Sequence, residues 1–165
     1  MLIKHIVIGM LIAGTAVCAS AGERYTKKHQ LDVKHMVVVA EGDYEPRSIG
    51  SYSIRLYKIL SAESPTDNYV CGFIRPRDGV VENVLFEDLD EDGTAEIIVT
   101  MRCAGTGSYI SADAFKCAKE KLALLVRVEQ LDNNADSVAA LKLQLKKQKH
   151  EPPTKKLKAT GKPAP

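Results

Sequence analysis

The clearest pattern in the chain is the alternation at 51–56. There Tyr52, Ile54 and Leu56 fall on one face and Ser51, Ser53 and Arg55 on the other. A period of two marks a strand with one buried and one wet face, as in an antiparallel sheet. Similar runs recur along the chain. Val33–Ala40 (with Met36-Val37-Val38-Val39 at its centre), Ser51–Leu60, Tyr69–Ile74, Val80–Phe86, Glu96–Arg102, Tyr109–Phe115 and Leu122–Val128 all read as strands. Turn chemistry separates them: Gly42–Pro46, Ser61–Asn68, Arg75–Gly79 with its Asp-Gly pair, an acidic loop over Glu87–Thr94, the small-residue loop Ala104–Ser108, and Lys116–Lys121. Glu23–Gln30 is polar and is expected to fray. No alternation of strands with helices occurs, so a Rossmann-like fold is excluded. About seven short strands joined by short turns predict an all-β fold, an antiparallel sandwich or barrel. Asp136 is placed to cap a short C-terminal helix from Ser137 to about Lys147, with Val138, Leu141 and Leu145 on one face.

The two ends differ from this middle. Residues 1–21 have the three parts of a cleavable signal peptide: Lys4, the apolar run Ile6–Val17, and the small-x-small site Ala19-Ser20-Ala21. The run is shorter than the roughly 20 residues a membrane anchor needs, and Val17 before Cys18 does not suit a lipoprotein site. Cleavage after Ala21 gives an exported, soluble chain with no membrane contact, organised as a β domain over 22–148 and a Lys/Pro-rich tail over 149–165. The tail has almost nothing to bury and is expected to be disordered.

Charge is unevenly distributed. Gly22–Ala139 carries 14 Lys and Arg against 20 Asp and Glu, a net −6, whereas Ala140–Pro165 carries 8 Lys against 1 Glu, a net +7. An acidic body favours basic partners and speeds encounter with them. No aromatic residues interleave with the basic tail, so it gives no support for nucleic-acid stacking and reads as a solvated charge run.

Little in the sequence supports catalysis. His29 and His35 lie at the polar start, His150 lies in the tail, and neither a phosphate loop nor a dinucleotide turn occurs. The chain is therefore read as a binding protein without a cofactor, not an enzyme. Two loops carry candidate chemistry. Asp88, Asp90, Asp92 and Glu96 alternate around Gly93, a partial oxygen-ligand set for calcium; an EF-hand would need a bidentate Glu where Val99 stands. The same Asp residues also suit a turn bonded to its own amides, and this reading is preferred over a metal. A calcium-stabilised envelope domain binding a surface partner is the alternative function. The other loop, Cys103–Tyr109, offers two hydroxyls and a phenol on a sheet, where recognition residues are often placed. Cys71, Cys103 and Cys117 survive signal cleavage, and in an oxidising compartment two of them should pair. Three pairings are open, with Cys103–Cys117 favoured because those two residues bracket one short segment.

The block Phe86–Phe115, flanked by Gly50–Tyr57 and Leu122–Val128, resembles the periplasmic inhibitors of invertebrate-type (I-type) lysozyme. The likeness runs from about Ser51 to Val128. It implies an eight-stranded antiparallel β-sandwich, often a homodimer, that blocks a lysozyme by inserting a loop into its cleft. The family's contact loop carries a Ser and a Tyr. These fall on Thr106 and Tyr109, so Thr stands here where the family has Ser. The lysozyme-binding loop implied is Gly105, Thr106, Gly107, Ser108 and Tyr109.

Overall fold

The structure, a computed structural model, describes residues 23–150. The expected signal peptide at 1–21 and the tail beyond His150 lie outside the described residues. Eight strands and one helix follow in order: β1 (Thr26–Gln30), β2 (His35–Glu41), β3 (Ile49–Lys58), β4 (Asn68–Asp78), β5 (Val80–Glu87), β6 (Glu96–Arg102), β7 (Ile110–Ala118), β8 (Lys121–Leu131) and α1 (Ser137–His150). They form two four-stranded sheets, ordered β1-β2-β3-β4 and β5-β6-β7-β8, and every pairing is antiparallel. Of the sandwich and the barrel that the strand spacing allows, this is the sandwich, with the eight strands the resemblance implies and the expected C-terminal helix.

The core follows from the period of two. Val37 and Val39 of β2 and Tyr52, Ile54 and Leu56 of β3 meet Val84, Ile97, Val99, Met101 and Phe115 of the second sheet. The other face of the second sheet is covered by α1, whose Leu141 and Leu145 pack on Ile98, Ala112, Ala114 and Val126. Strand β6 is thus buried on both faces, which explains its unbroken Ile97-Ile98-Val99 run. Asp136 caps the helix: its Oδ1 accepts the amides of Val138 at 2.9 Å and Ala139 at 3.1 Å.

One polar group spans the core. The Tyr52 hydroxyl donates to Asp113 Oδ2 at 2.5 Å, and the guanidinium groups of Arg75 and Arg127 each lie 3.4 Å from that carboxylate. Tyr52 and Asp113 are fully buried, and burial, then the adjacent Asp113 charge, pushes the Tyr52 phenol far above its ordinary range.

Two expectations are corrected. Glu23–Gln30 contributes an edge strand, since Thr26–Gln30 pairs with Met36–Ala40; its polarity reflects exposure at the sheet edge. Arg75–Asp78 is not a turn but the end of β4, paired with Ile49–Tyr52. Because β4 is an edge strand, Pro76 leaves no ladder bond unmade. Gly79 alone, at φ +89°, passes the chain between the sheets. Buried Arg77 holds this corner by donating to the carbonyls of Ser51 at 3.0 Å, Arg47 at 2.9 Å and Pro46 at 3.1 Å, and to that of Gly79.

Candidate functional site

The β6–β7 connection, residues 103–109, leaves the end of the second sheet as a short closed loop. The Cys103 amide donates to the Tyr109 carbonyl at 2.8 Å, and the Ser108 amide to the Gly105 carbonyl at 3.1 Å. The Cys103 sulfur accepts the Gly105 amide at 3.4 Å. The Gly105 amide is thus already engaged and is not a free donor. Ser108 takes a left-handed φ of +46°. The Tyr109 ring lies over Gly107, where a Cβ would come within 2.3 Å of the ring edge and displace it. The loop therefore presents Thr106 and Tyr109 to solvent, Tyr109 about half exposed at 48%, with Ser108 partly buried. Among the described residues nothing hydrogen-bonds the hydroxyls of Thr106, Ser108 or Tyr109.

The base of the loop is fixed by residues that the sequence reading missed. Arg102, the last residue of β6, donates through Nη1 to the carbonyls of Ser108 at 3.1 Å and Asn133 at 3.3 Å, while its Nε pairs with Glu82 at 2.9 Å. One guanidinium thus ties the loop to the β8–α1 connection and to β5. Gly79 presses on the other side, where a Cβ would come within 1.8 Å of the Arg102 carbonyl oxygen. A charged residue ending an otherwise apolar strand was the available clue to Arg102. Beside the loop, Gly107 and Tyr109 border a shallow depression shared with Asp132, Asn133, Asn134 and Ala135.

The acidic loop is a separate structure. Asp88 accepts the amides of Glu91 at 2.7 Å, Asp92 at 3.2 Å and Gly93 at 2.8 Å, and Glu96 accepts that of Leu89 at 2.8 Å. This is the self-bonded turn the Asp spacing suits. Oxygens of Asp88, Asp90 and Glu96 converge within 4.8 Å. A cation of the chain itself lies beside them: the Lys116 ammonium is 2.5 Å from Asp90, 2.5 Å from Asp92 and 3.7 Å from Glu96. Bonds to Asp90 and Asp92 raise the Lys116 pKa, and bonds from Lys116 and Thr94 lower that of Asp92. Burial, assisted by the charges of Asp90 and Asp92, raises that of Glu96. An ammonium already neutralises much of what calcium would bind.

The favoured cysteine pairing is corrected. All three cysteines are unlinked. Cys103 and Cys117 sit at opposite ends of the β6–β7 hairpin: Arg102 is opposite Ile110, and Cys117 lies well along β7. A rise of about 3.3 Å per strand residue separates them by roughly 20 Å, far beyond disulfide reach.

The arrangement suits insertion into a cleft: a narrow loop, unpaired hydroxyls at its tip and a rigid two-sheet base. Comparison with known proteins shows the family. A model of the family described as periplasmic lysozyme inhibitor of I-type lysozyme matches residues 23–145. The crystal structure of PliI-Ah, a periplasmic lysozyme inhibitor of I-type lysozyme from Aeromonas hydrophila, is similar. It has 39% identity and a TM-score of 0.68, over 71% of this chain and 98% of that one. The structure of Aeromonas hydrophila PliI in complex with Meretrix lusoria lysozyme is similar at 40% identity and a TM-score of 0.67, over 72% of this chain and 95% of that one. No curated protein matches the chain.

Proposed function

The chain belongs to the family of periplasmic inhibitors of I-type lysozyme, and on that premise we propose that it blocks such an enzyme by lodging the Gly105–Tyr109 loop in the catalytic cleft. Membership makes the chain an inhibitor rather than an enzyme. The observation that carries the loop assignment is the set of hydroxyls on exposed Thr106 and Tyr109 and half-buried Ser108, without hydrogen-bond partners among the described residues and held on a braced frame.

Glycoside hydrolases of this kind cleave with two carboxyl groups flanking the scissile bond. Carboxylates accept hydrogen bonds, and the three hydroxyls and the Gly107 amide are donors. Tyr109 adds a stiff apolar body with a polar end, the residue type that dominates contact energetics. The loop fills the space the sugar needs, and its hydroxyls take the carboxylate positions that would otherwise receive substrate and water. No bond is made or broken. Because the loop is preformed, little ordering cost is incurred on binding. The net charge of −6 over Gly22–Ala139 steers a cationic target and raises the association rate. Export through residues 1–21 places the inhibitor where an incoming lysozyme meets the cell wall.

The test is inhibition of a purified I-type lysozyme by the mature chain and by Thr106→Ala and Tyr109→Ala. Each truncation should weaken inhibition about thirty-fold, equivalent to about 2 kcal/mol, with unchanged melting. Parent-like inhibition by both variants would rule out loop insertion.

A further inference from the structure

Phe73 of β4 and Phe115 of β7 meet across the space between the sheets, with ring centroids 6.2 Å apart. Side chains two positions along a strand return to the same face. The next such residue along β4 is Cys71, and the next along β7 is Cys117. Cys71 is registered opposite Leu56 and Cys117 opposite Leu122, and both cysteines pack on the core cluster that holds Leu56, Phe115 and Leu122. The two cysteines converge on the same end of the sandwich: the Cys71 thiol donates to the Glu120 carbonyl at 3.5 Å, in the turn just after Cys117. Burial raises the Cys117 pKa, with the neighbouring Cys71 as the next contribution. Cys103 is at the other end, beside Asp78.

We propose that Cys71 and Cys117 form a disulfide that staples the two sheets together, leaving Cys103 as the free thiol at the base of the inhibitory loop. The proposal rests on the export part of the functional reading, since the periplasm keeps thiols oxidised. The oxidant is a donor disulfide, carried by a thiol oxidoreductase or by glutathione. The Cys71 thiolate attacks a donor sulfur, forms a mixed disulfide and releases one donor thiol. Cys117 then loses its proton to water and attacks the Cys71 sulfur, releasing the second donor thiol. The chain loses two electrons and two protons; the donor gains both. Because burial holds the Cys117 thiol protonated, it is the slower nucleophile and also the poorer leaving group, so the bridge resists reduction once made.

The experiment alkylates the full-length gene product recovered from the periplasm, and in parallel the reduced mature chain reoxidised with glutathione disulfide. Both samples are alkylated in denaturant. A mass about 2 Da below that of the reduced form before alkylation, one alkylated thiol per chain after it, and a Cys71–Cys117 cross-linked peptide are expected. Reductant should lower the melting temperature by on the order of ten degrees. Cys103→Ser should keep that drop, whereas Cys71→Ser/Cys117→Ser should abolish it. Three alkylated thiols in the reoxidised chain, or an intramolecular link to Cys103, would overturn the proposal. Absence from the periplasmic fraction would instead count against export, because the glutathione arm reads the pairing without it.

Discussion

Arg102→Ala is the most direct test of how the loop proposed to bind lysozyme is held. The substitution removes the donors to the carbonyls of Ser108 at 3.1 Å and Asn133 at 3.3 Å, and the pair with Glu82 at 2.9 Å. Hydrogen bonds from a charged donor contribute about 1.5–3 kcal/mol each when buried. Arg102 is about a third exposed, at 32%, so solvent screening reduces this, and the three contacts together are worth about 1.5–2 kcal/mol. That energy holds the loop in one arrangement. Without it the binding-competent fraction falls, and the apparent inhibition constant rises in inverse proportion. The rise should be about ten- to thirty-fold. The loop's own bonds and both cores are untouched, so melting should shift little. The assay is residual I-type lysozyme activity against inhibitor concentration, paired with thermal melting. Arg102→Lys, which keeps the charge but loses the planar fork, should fall between parent and Ala. An Ala variant that inhibits within about two-fold of the parent would refute the idea that Arg102 positions the loop.

Other outcomes follow from the same geometry. Tyr52→Phe leaves buried Asp113 without its 2.5 Å donor and should cost about 1.5–3 kcal/mol in urea unfolding. Gly79→Ala places a Cβ 1.8 Å from the Arg102 carbonyl oxygen at φ +89°, so it should lower the melting temperature and weaken inhibition together. Lys116→Met should destabilise most near neutral pH. In the parent, the Asp92 carboxyl is held below its ordinary 3.8 by Lys116 and Thr94, so its stabilisation is complete above 3.8 and lost as pH falls through the lower folded value. Glu96 is raised, chiefly by burial, so its ionisation weakens the fold as pH rises from 4.5. Removing Lys116 therefore widens the stability gap to the parent at pH 7 relative to pH 4, read as urea midpoints at both. Raising salt should slow association with a cationic lysozyme more than it speeds dissociation, as measured by stopped flow.

Much of this architecture was legible because burial leaves a period in the sequence. Tyr52, Ile54 and Leu56 alternate with polar neighbours and all three are fully buried. The two-sided burial of β6 appears as consecutive Ile and Val. Asp136 marked the helix start as a capping residue just ahead of Val138, Leu141 and Leu145 at helical spacing. What escaped notice depends on neighbours distant in sequence. β1 carries no apolar face because it lies at an edge, so only its pairing with β2 reveals it. Arg75-Pro76-Arg77-Asp78-Gly79 has turn residues, yet the chain stays extended until Gly79, since Arg77 is anchored by carbonyls from the β2–β3 connection and β3. The loop residues were placed by resemblance, whereas the bracing role of Arg102 depends on Glu82 and Asn133, which no local pattern connects to it.

The strand order has a consequence for how the molecule is made. Within each sheet the spatial order is the order of the chain, so each ladder joins consecutive strands and each sheet forms from one uninterrupted half. Sequence-local pairing of this kind favours rapid folding. It also means that the first half can complete all its ladders before the second begins, leaving the apolar side of β2 and β3 uncovered until β5–β8 arrives. Were the halves to form in that order, the apolar side of the first sheet would stay open to the corresponding half of another chain until the second docked across Gly79, the single residue between β4 and β5.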